Sequence, residues 1–206
     1  MKLFNFAIGN VYNDKGRYLK EIKYKHEMVG EVLGDKSGKV LDLGFNQAPN
    51  TFFKGFVYGV DKEISGKPSN YVEVVKADLD CCDSLPYSDK SFCTILAYDI
   101  LEHLECMPKV LNELHRILAD DGILAVTVPN YGGINMTVIK FFNKDHSEHH
   151  IYDFDREFVE AGFVITEKFF FRFKMPFIYF VIINKRVPKL LSTGVAYILK
   201  KRGLKR

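Results

Sequence analysis

Lys39-Val40-Leu41-Asp42-Leu43-Gly44 reads as one short buried strand that ends in a glycine turn. Working outward, the same pattern repeats downstream. Val57–Asp61 is a second strand ending in an acid, Val72–Ala77 a third ending at Asp78, and Phe92–Tyr98 a fourth ending at Asp99. Val110, Leu111, Leu114, Ile117 and Leu118 then recur at helical spacing, and Asp120-Asp121-Gly122 stops that helix. Ile123–Val128 is a fifth strand, ended by Pro129. Asp155–Ala161 is helical up to Gly162, and Phe163–Phe171 is a sixth strand. A seventh comes from the stretch up to Ile183 or from Val195–Lys200. Upstream, Leu19, Ile22, Val29, Val32 and Leu33 give Tyr18–Leu33 the apolar stripe of an amphipathic helix.

Short apolar strands that alternate with helices imply βαβ units. The expected fold is α/β: a Rossmann-like, seven-stranded, mostly parallel sheet with helices on both faces. Such sheets bind ligands outside the carboxyl ends of their strands. Asp42 with Gly44, Asp61, Asp78 and Asp99 all fall there. The plainer reading is that these acids cap the helices that follow. A carboxylate ending the second strand can accept both hydroxyls of a ribose, which points to a nucleoside. A dinucleotide would also need the phosphate cradle G-x-G-x-x-G, whereas Gly44 is followed by Phe-Asn-Gln-Ala-Pro. A nucleoside cofactor without phosphate suits these residues better, and Asp42 could favour a cationic centre.

In order and spacing these segments resemble the class I S-adenosylmethionine-dependent methyltransferases, especially the type 11 group, over roughly residues 38–167. Val40-Leu-Asp-Leu-Gly44 looks like the family's first motif, Asp61 sits at its ribose-binding acid, and Ala77-Asp78-Leu79 resembles its adenine-contacting motif. Leu85-Pro86 with Ser91-Phe92, Asp99-Ile-Leu-Glu-His-Leu104, Leu114-His-Arg-Ile-Leu118, Val128-Pro-Asn130 and Ala161-Gly-Phe163 continue the likeness. The resemblance implies S-adenosyl-L-methionine as cofactor. It places cofactor contacts at Asp42, Gly44, Asn46, Asp61, Lys62, Asp78, Leu79 and Asp99. The later glycines of the first motif are replaced by Asn46 and Ala48. Asn tolerates a left-handed backbone better than most residues, so the turn at Asn46 can survive. Only 19 residues separate Asp42 from Asp61, which leaves little room for a helix between them.

Methyl transfer to a hydroxyl benefits from a general base, and histidine titrates near neutrality. His103 after the fourth strand and His150 before the last helix are the candidates, with His149 beside the latter. The acceptor class is a small molecule, a glycan or a lipid-linked hydroxyl. Two alternatives stand behind this reading. One is a non-catalytic Rossmann-like binding module with a degenerate cofactor motif. The other, a weaker one, is a metal-dependent RNA 2′-O-methyltransferase, motivated by Asp99, Glu102 and His103 on one helical face. No metal is assigned, and no recognised RNA module marks nucleic acid as a partner.

The chain reads as one domain over 1–206: a helical cap (1–37), the cofactor core (38–167) and a basic, Phe-rich C-terminal part (168–206). The net charge of +3 hides an asymmetry. Residues 1–167 carry 18 basic and 26 acidic groups, whereas 168–206 carry eleven Lys or Arg and no acid. The favoured reading of the tail is a final pair of strands. The alternative is contact with an anionic membrane surface, with Val187–Arg206 as an amphipathic basic segment. Four cysteines without metal-ligand spacing, and no secretory signal, fit a cytoplasmic protein, peripheral at a membrane at most.

Overall fold

The computed structural model describes residues 3–5, 15–34, 38–53, 56–81, 83–133, 152–171, 173–175, 178–182 and 187–203. Helix α1 (Lys15–Leu33) ends at Gly34, whose φ of +70° and N–H to the Gly30 carbonyl (2.9 Å) close it as a left-handed cap. Four parallel strands follow: β2 (Val40–Leu43), β3 (Val57–Asp61), β4 (Tyr71–Lys76) and β5 (Phe92–Tyr98). Helix α2 (Met107–Ile117) leads straight into β6 (Leu118–Pro129), parallel to β5. Helix α3 (Phe154–Glu160), β7 (Phe163–Phe171) and β10 (Gly194–Lys201) complete the seven-stranded sheet, in the order β4-β3-β2-β5-β6-β10-β7. β10 runs antiparallel to both its neighbours.

The sheet buries both faces. On one, Met28, Val29 and Leu33 of α1 pack with Phe45, Phe53, Val57 and Leu96. On the other, Leu111 and Leu114 of α2 and Phe158 of α3 pack with Leu41, Ile95 and Tyr197. β2, at the centre, is buried at all four residues, as a parallel strand covered on both sides must be.

The structure departs from the sequence reading at several points. Among the described residues no helix lies in the crossovers between β2 and β3, β3 and β4, or β4 and β5. In the first crossover Phe45 (1% exposed) and Phe53 (5%) supply the apolar cover that a helix would otherwise give. Asp120-Asp121-Gly122 does not end α2. It bulges within β6, where the partners of Phe92 and Thr94 jump from Leu118 to Ile123.

Of the two candidates for the seventh strand, the later one joins the sheet. The earlier forms β8 (Phe173–Met175) and β9 (Ile178–Ile182), which pair with β1 (Leu3–Asn5) in a separate antiparallel sheet, β1-β9-β8. Residues 3–5 are therefore a strand rather than part of a helical cap. Val195 and Ile198, candidates for a membrane-facing segment, are 5% and 4% exposed inside β10. Among the described residues no helix is long and apolar enough to cross a membrane.

Candidate active site

Strand order reverses between β2 and β5: β3 and β4 lie to one side of β2, and β5 and β6 to the other. The carboxyl ends at such a switch point are where a ligand sits. Gly44 turns the chain there with φ +70°, its N–H bonded to the Val60 carbonyl at 2.8 Å. A β carbon on Gly44 would stand 2.7 Å from Ile100 Cδ1, so the turn is tight against the loop after β5.

Asn46 holds the turn by a different device from the one its sequence suggests. Outside glycine, only Lys90 and Asp99 among the described residues have positive φ, so Asn46 is not left-handed. Its N–H donates to Asp61 Oδ2 at 2.8 Å, and its side-chain oxygen accepts from the Ser65 N–H at 2.8 Å. Asp61 Oδ1 accepts from the Glu63 N–H at 3.0 Å. Each Asp61 oxygen thus takes one backbone N–H, and a carboxylate oxygen has room for a second donor. Asp61 is half-buried at the carboxyl end of β3.

Lys62 Nζ lies 2.9 Å from Asp78 Oδ2, and this bond holds the Asp78 carboxyl below its ordinary range. Leu79 follows, 7% exposed. Asp42 is 3% exposed, and its Oδ2 accepts from the Asn50 N–H (3.1 Å) and from the Tyr71 hydroxyl. Burial pushes Asp42 up to about 7 against the pull of those donors. Its carboxylate ties the first crossover to β4.

Asp99, at φ +51°, accepts from Thr127 Oγ1 (2.9 Å) on one oxygen and pairs with Lys25 Nζ (2.7 Å) on the other. Next to Lys25 lies His26, which burial and the neighbouring ammonium drive down to about 3, so it is neutral. His103 ends a single 3₁₀ turn, Leu101–His103, and is exposed. His149 and His150 lie outside the described residues.

The structure therefore joins Gly44, Asn46 and Asp61 into one turn, and Lys62 to Asp78. The four acids do not cap helices. That task falls to Asp153, whose side chain accepts from the Arg156 N–H of α3, while Asp80 Oδ1 accepts from the Glu105 and Cys106 N–H groups just ahead of α2. Asn50, Tyr71, Thr127 and Lys25 were not legible as site residues. A signal existed for Lys25. With His26 it falls three and four residues after Ile22, on the stripe that Val29 continues, and a lysine on a buried stripe needs a reason. Among the described residues no group of three or more His, Cys, Asp or Glu is arranged to hold a metal ion.

Residues 52–126 match the family model described as a methyltransferase domain. The structure is similar to a methyltransferase from Thermotoga maritima described as a possible histamine N-methyltransferase (TM-score 0.65, 17% identity, 92% of this chain and 95% of that one). It is similar to a putative methyltransferase from Bacillus halodurans (0.63, 15%, 88% and 100%). It is also similar to the Burkholderia thailandensis 1,6-didemethyltoxoflavin-N1-methyltransferase, solved with S-adenosylhomocysteine (0.59, 14%, 92% and 82%). No curated protein matches the sequence. Strand order and the turn at the switch point give the chain the class I methyltransferase fold, and the segment 52–126 resembles a methyltransferase domain.

Proposed function

We propose that the chain binds S-adenosylmethionine across the carboxyl ends of β2–β5 and methylates a small-molecule acceptor. The observation that carries this reading is Asp61: a half-buried carboxylate at the end of β3, fixed by two backbone N–H groups and still able to accept from two hydroxyls. Asp78 and Leu79, just after β4, are assigned to the adenine, and Lys62 steadies Asp78. Gly44 and Asn46 shape the turn beneath. Asp42 acts below the surface, holding the crossover in place.

When bound, the cofactor supplies an electrophilic methyl group on a sulfonium. The protein's part is to hold donor and acceptor in line, and such alignment is worth several kcal/mol of barrier, roughly 7–11 at most. His103, exposed in the turn after β5, is assigned the acceptor's proton, since an imidazole titrates near neutrality. A small acceptor, rather than a glycan or a lipid, is supported by two of the neighbours, whose names give small-molecule substrates.

The test is calorimetric titration with S-adenosylhomocysteine on the native protein and on Asp61→Ala. Micromolar binding that the substitution weakens tenfold or more, about 1.4 kcal/mol, is expected. Absence of binding to well-folded native protein would overturn the reading in favour of a non-catalytic module.

A further inference from the structure

Among the described residues the crossover from β4 to β5 has no helix, and the chain runs instead along α2. Asp80 Oδ1 accepts from the Glu105 and Cys106 N–H groups at 2.9 and 3.1 Å. Asp83 pairs with Lys109 Nζ at 3.0 Å. The Leu85 N–H donates to Glu113 Oε1 at 2.7 Å, and Arg116 reaches Asp89 at 2.6 Å. Loop and helix advance together, so each tie sets the register of its neighbours. Three of the chain's four cysteines fall on the first interval of this seam. Cys81 and Cys82 stand in the sequence between the tied residues Asp80 and Asp83, and Cys106 is the tied N-cap of α2.

Cys81 and Cys106 are both exposed. Cys93 differs: it lies half-buried within β5, and a β carbon on Gly38 would stand 2.5 Å from its Sγ. Closing a disulfide needs the two Cα atoms roughly 4.4–6.8 Å apart. The Asp80 tie holds the residue before Cys81 within one side-chain length of the Cys106 backbone. Cys81 itself sits in a surface turn, its N–H on the Asp78 carbonyl at 3.1 Å. Accessible thiols that stand beside a second, resolving thiol are the ones that oxidise reversibly.

We propose that Cys81 and Cys106 form a redox-active dithiol whose disulfide weakens the nucleoside end of the cofactor site. The second half of this statement rests on the cofactor reading above. The Cys81 thiol donates to the Asp78 carboxylate, which also holds Lys62 Nζ at 2.9 Å and the Asp80 N–H at 3.2 Å. Asp78 and Leu79 are the residues assigned to the adenine. A bond from Cys81 to Cys106 removes the thiol donor from Asp78 and draws the turn towards α2. The oxidant is a small disulfide such as oxidised glutathione. One protein thiolate attacks it, and a first glutathione leaves from the mixed disulfide that forms. The second protein thiolate attacks the protein sulfur of that mixed disulfide, and the second glutathione leaves. One S–S bond breaks in the oxidant and one forms in the protein, and the two released glutathione thiols carry away both protons and both electrons.

The experiment has two readouts. The protein is equilibrated with mixtures of oxidised and reduced glutathione, its free thiols are blocked, and unreduced peptides are mapped by mass. A link between Cys81 and Cys106 is expected, reversed by dithiothreitol, kept in Cys82→Ser and absent from Cys81→Ser and Cys106→Ser. No intramolecular link, a link that survives in Cys81→Ser, or mixed glutathione adducts alone overturn the dithiol. Oxidised and reduced native protein are then titrated calorimetrically with S-adenosylhomocysteine. Binding at least fivefold weaker in the oxidised form is expected, with no redox effect in Cys106→Ser. Equal affinity of the linked and reduced forms overturns the coupling to the site. Failure of the reduced native protein to bind removes the cofactor reading and the coupling with it, whereas the dithiol stands or falls on the peptide map.

Discussion

At the scale of single residues, the first crossover is organised by a carboxyl group that burial makes reluctant to ionise. Asp42 has a folded value of about 7 against 3.8 for the free side chain, and burial is the largest cause. A group whose value is raised on folding stabilises fully below its unfolded value and loses that contribution as pH rises through the folded one. Asp42 therefore costs stability increasingly from about pH 4 to pH 7, on the order of 4 kcal/mol as an upper bound. Asp42→Asn keeps an acceptor for Tyr71 and the Asn50 N–H but has no proton to lose. Urea midpoints measured from pH 4 to 8 should show a smaller fall with pH in Asp42→Asn than in the native protein. Parallel curves for the two would show that Asp42 does not carry this dependence.

At the scale of elements, the apolar cover of the short first crossover depends on one close approach. A β carbon at Gly30 of α1 would lie 2.4 Å from the Phe52 ring, and Phe52 is itself packed edge-on against Phe53, centroids 5.2 Å apart. In an open helix Gly→Ala is worth about 1 kcal/mol of stability. Here the ring must move, and overpacking of this kind costs roughly 1–3 kcal/mol. Gly30→Ala is expected to lower the unfolding free energy measured in urea by a net ~1 kcal/mol. In a Phe52→Leu background the same substitution should become neutral or stabilising. Equal stabilisation in both backgrounds would contradict the packing argument. The strands of the sheet were readable because each central one is a short apolar run closed by an acid or glycine. The missing helix was foreshadowed only by the 19-residue spacing. That Phe45 and Phe53 replace it was not readable, since two phenylalanines in a loop have no periodicity to betray which face they cover.

At the scale of the whole molecule, the strand latest in the chain is placed in the middle of the sheet's second half. The sequence showed that Val195–Lys200 could be a strand, but not that it lies between β6 and β7, because that position depends on partners far away in the chain. Likewise Asp61 was legible as a site residue from its place at a strand end, whereas Lys25 reaches Asp99 only through the docking of α1. Among the described residues β7 pairs only with β10 in the sheet, so the two should open as one unit. What fixes the approach to β10 is Asn130, buried at the end of β6. Its amide donates to the Lys189 carbonyl (2.7 Å), the Ser192 carbonyl (3.2 Å) and Ser192 Oγ (2.6 Å), and its N–H donates to the Thr193 carbonyl (3.1 Å). Asn130→Ala removes the amide donors and leaves buried acceptors unmatched, a cost of about 1–3 kcal/mol. Hydrogen exchange on the variant should show β7 and β10 losing protection together, while β2 and β5 keep theirs. Limited proteolysis should cut first within 187–193. Loss of protection confined to β10, with β7 unchanged, would mean that β7 holds to the body by contacts other than its only strand partner, and the two would not be a single cooperative unit.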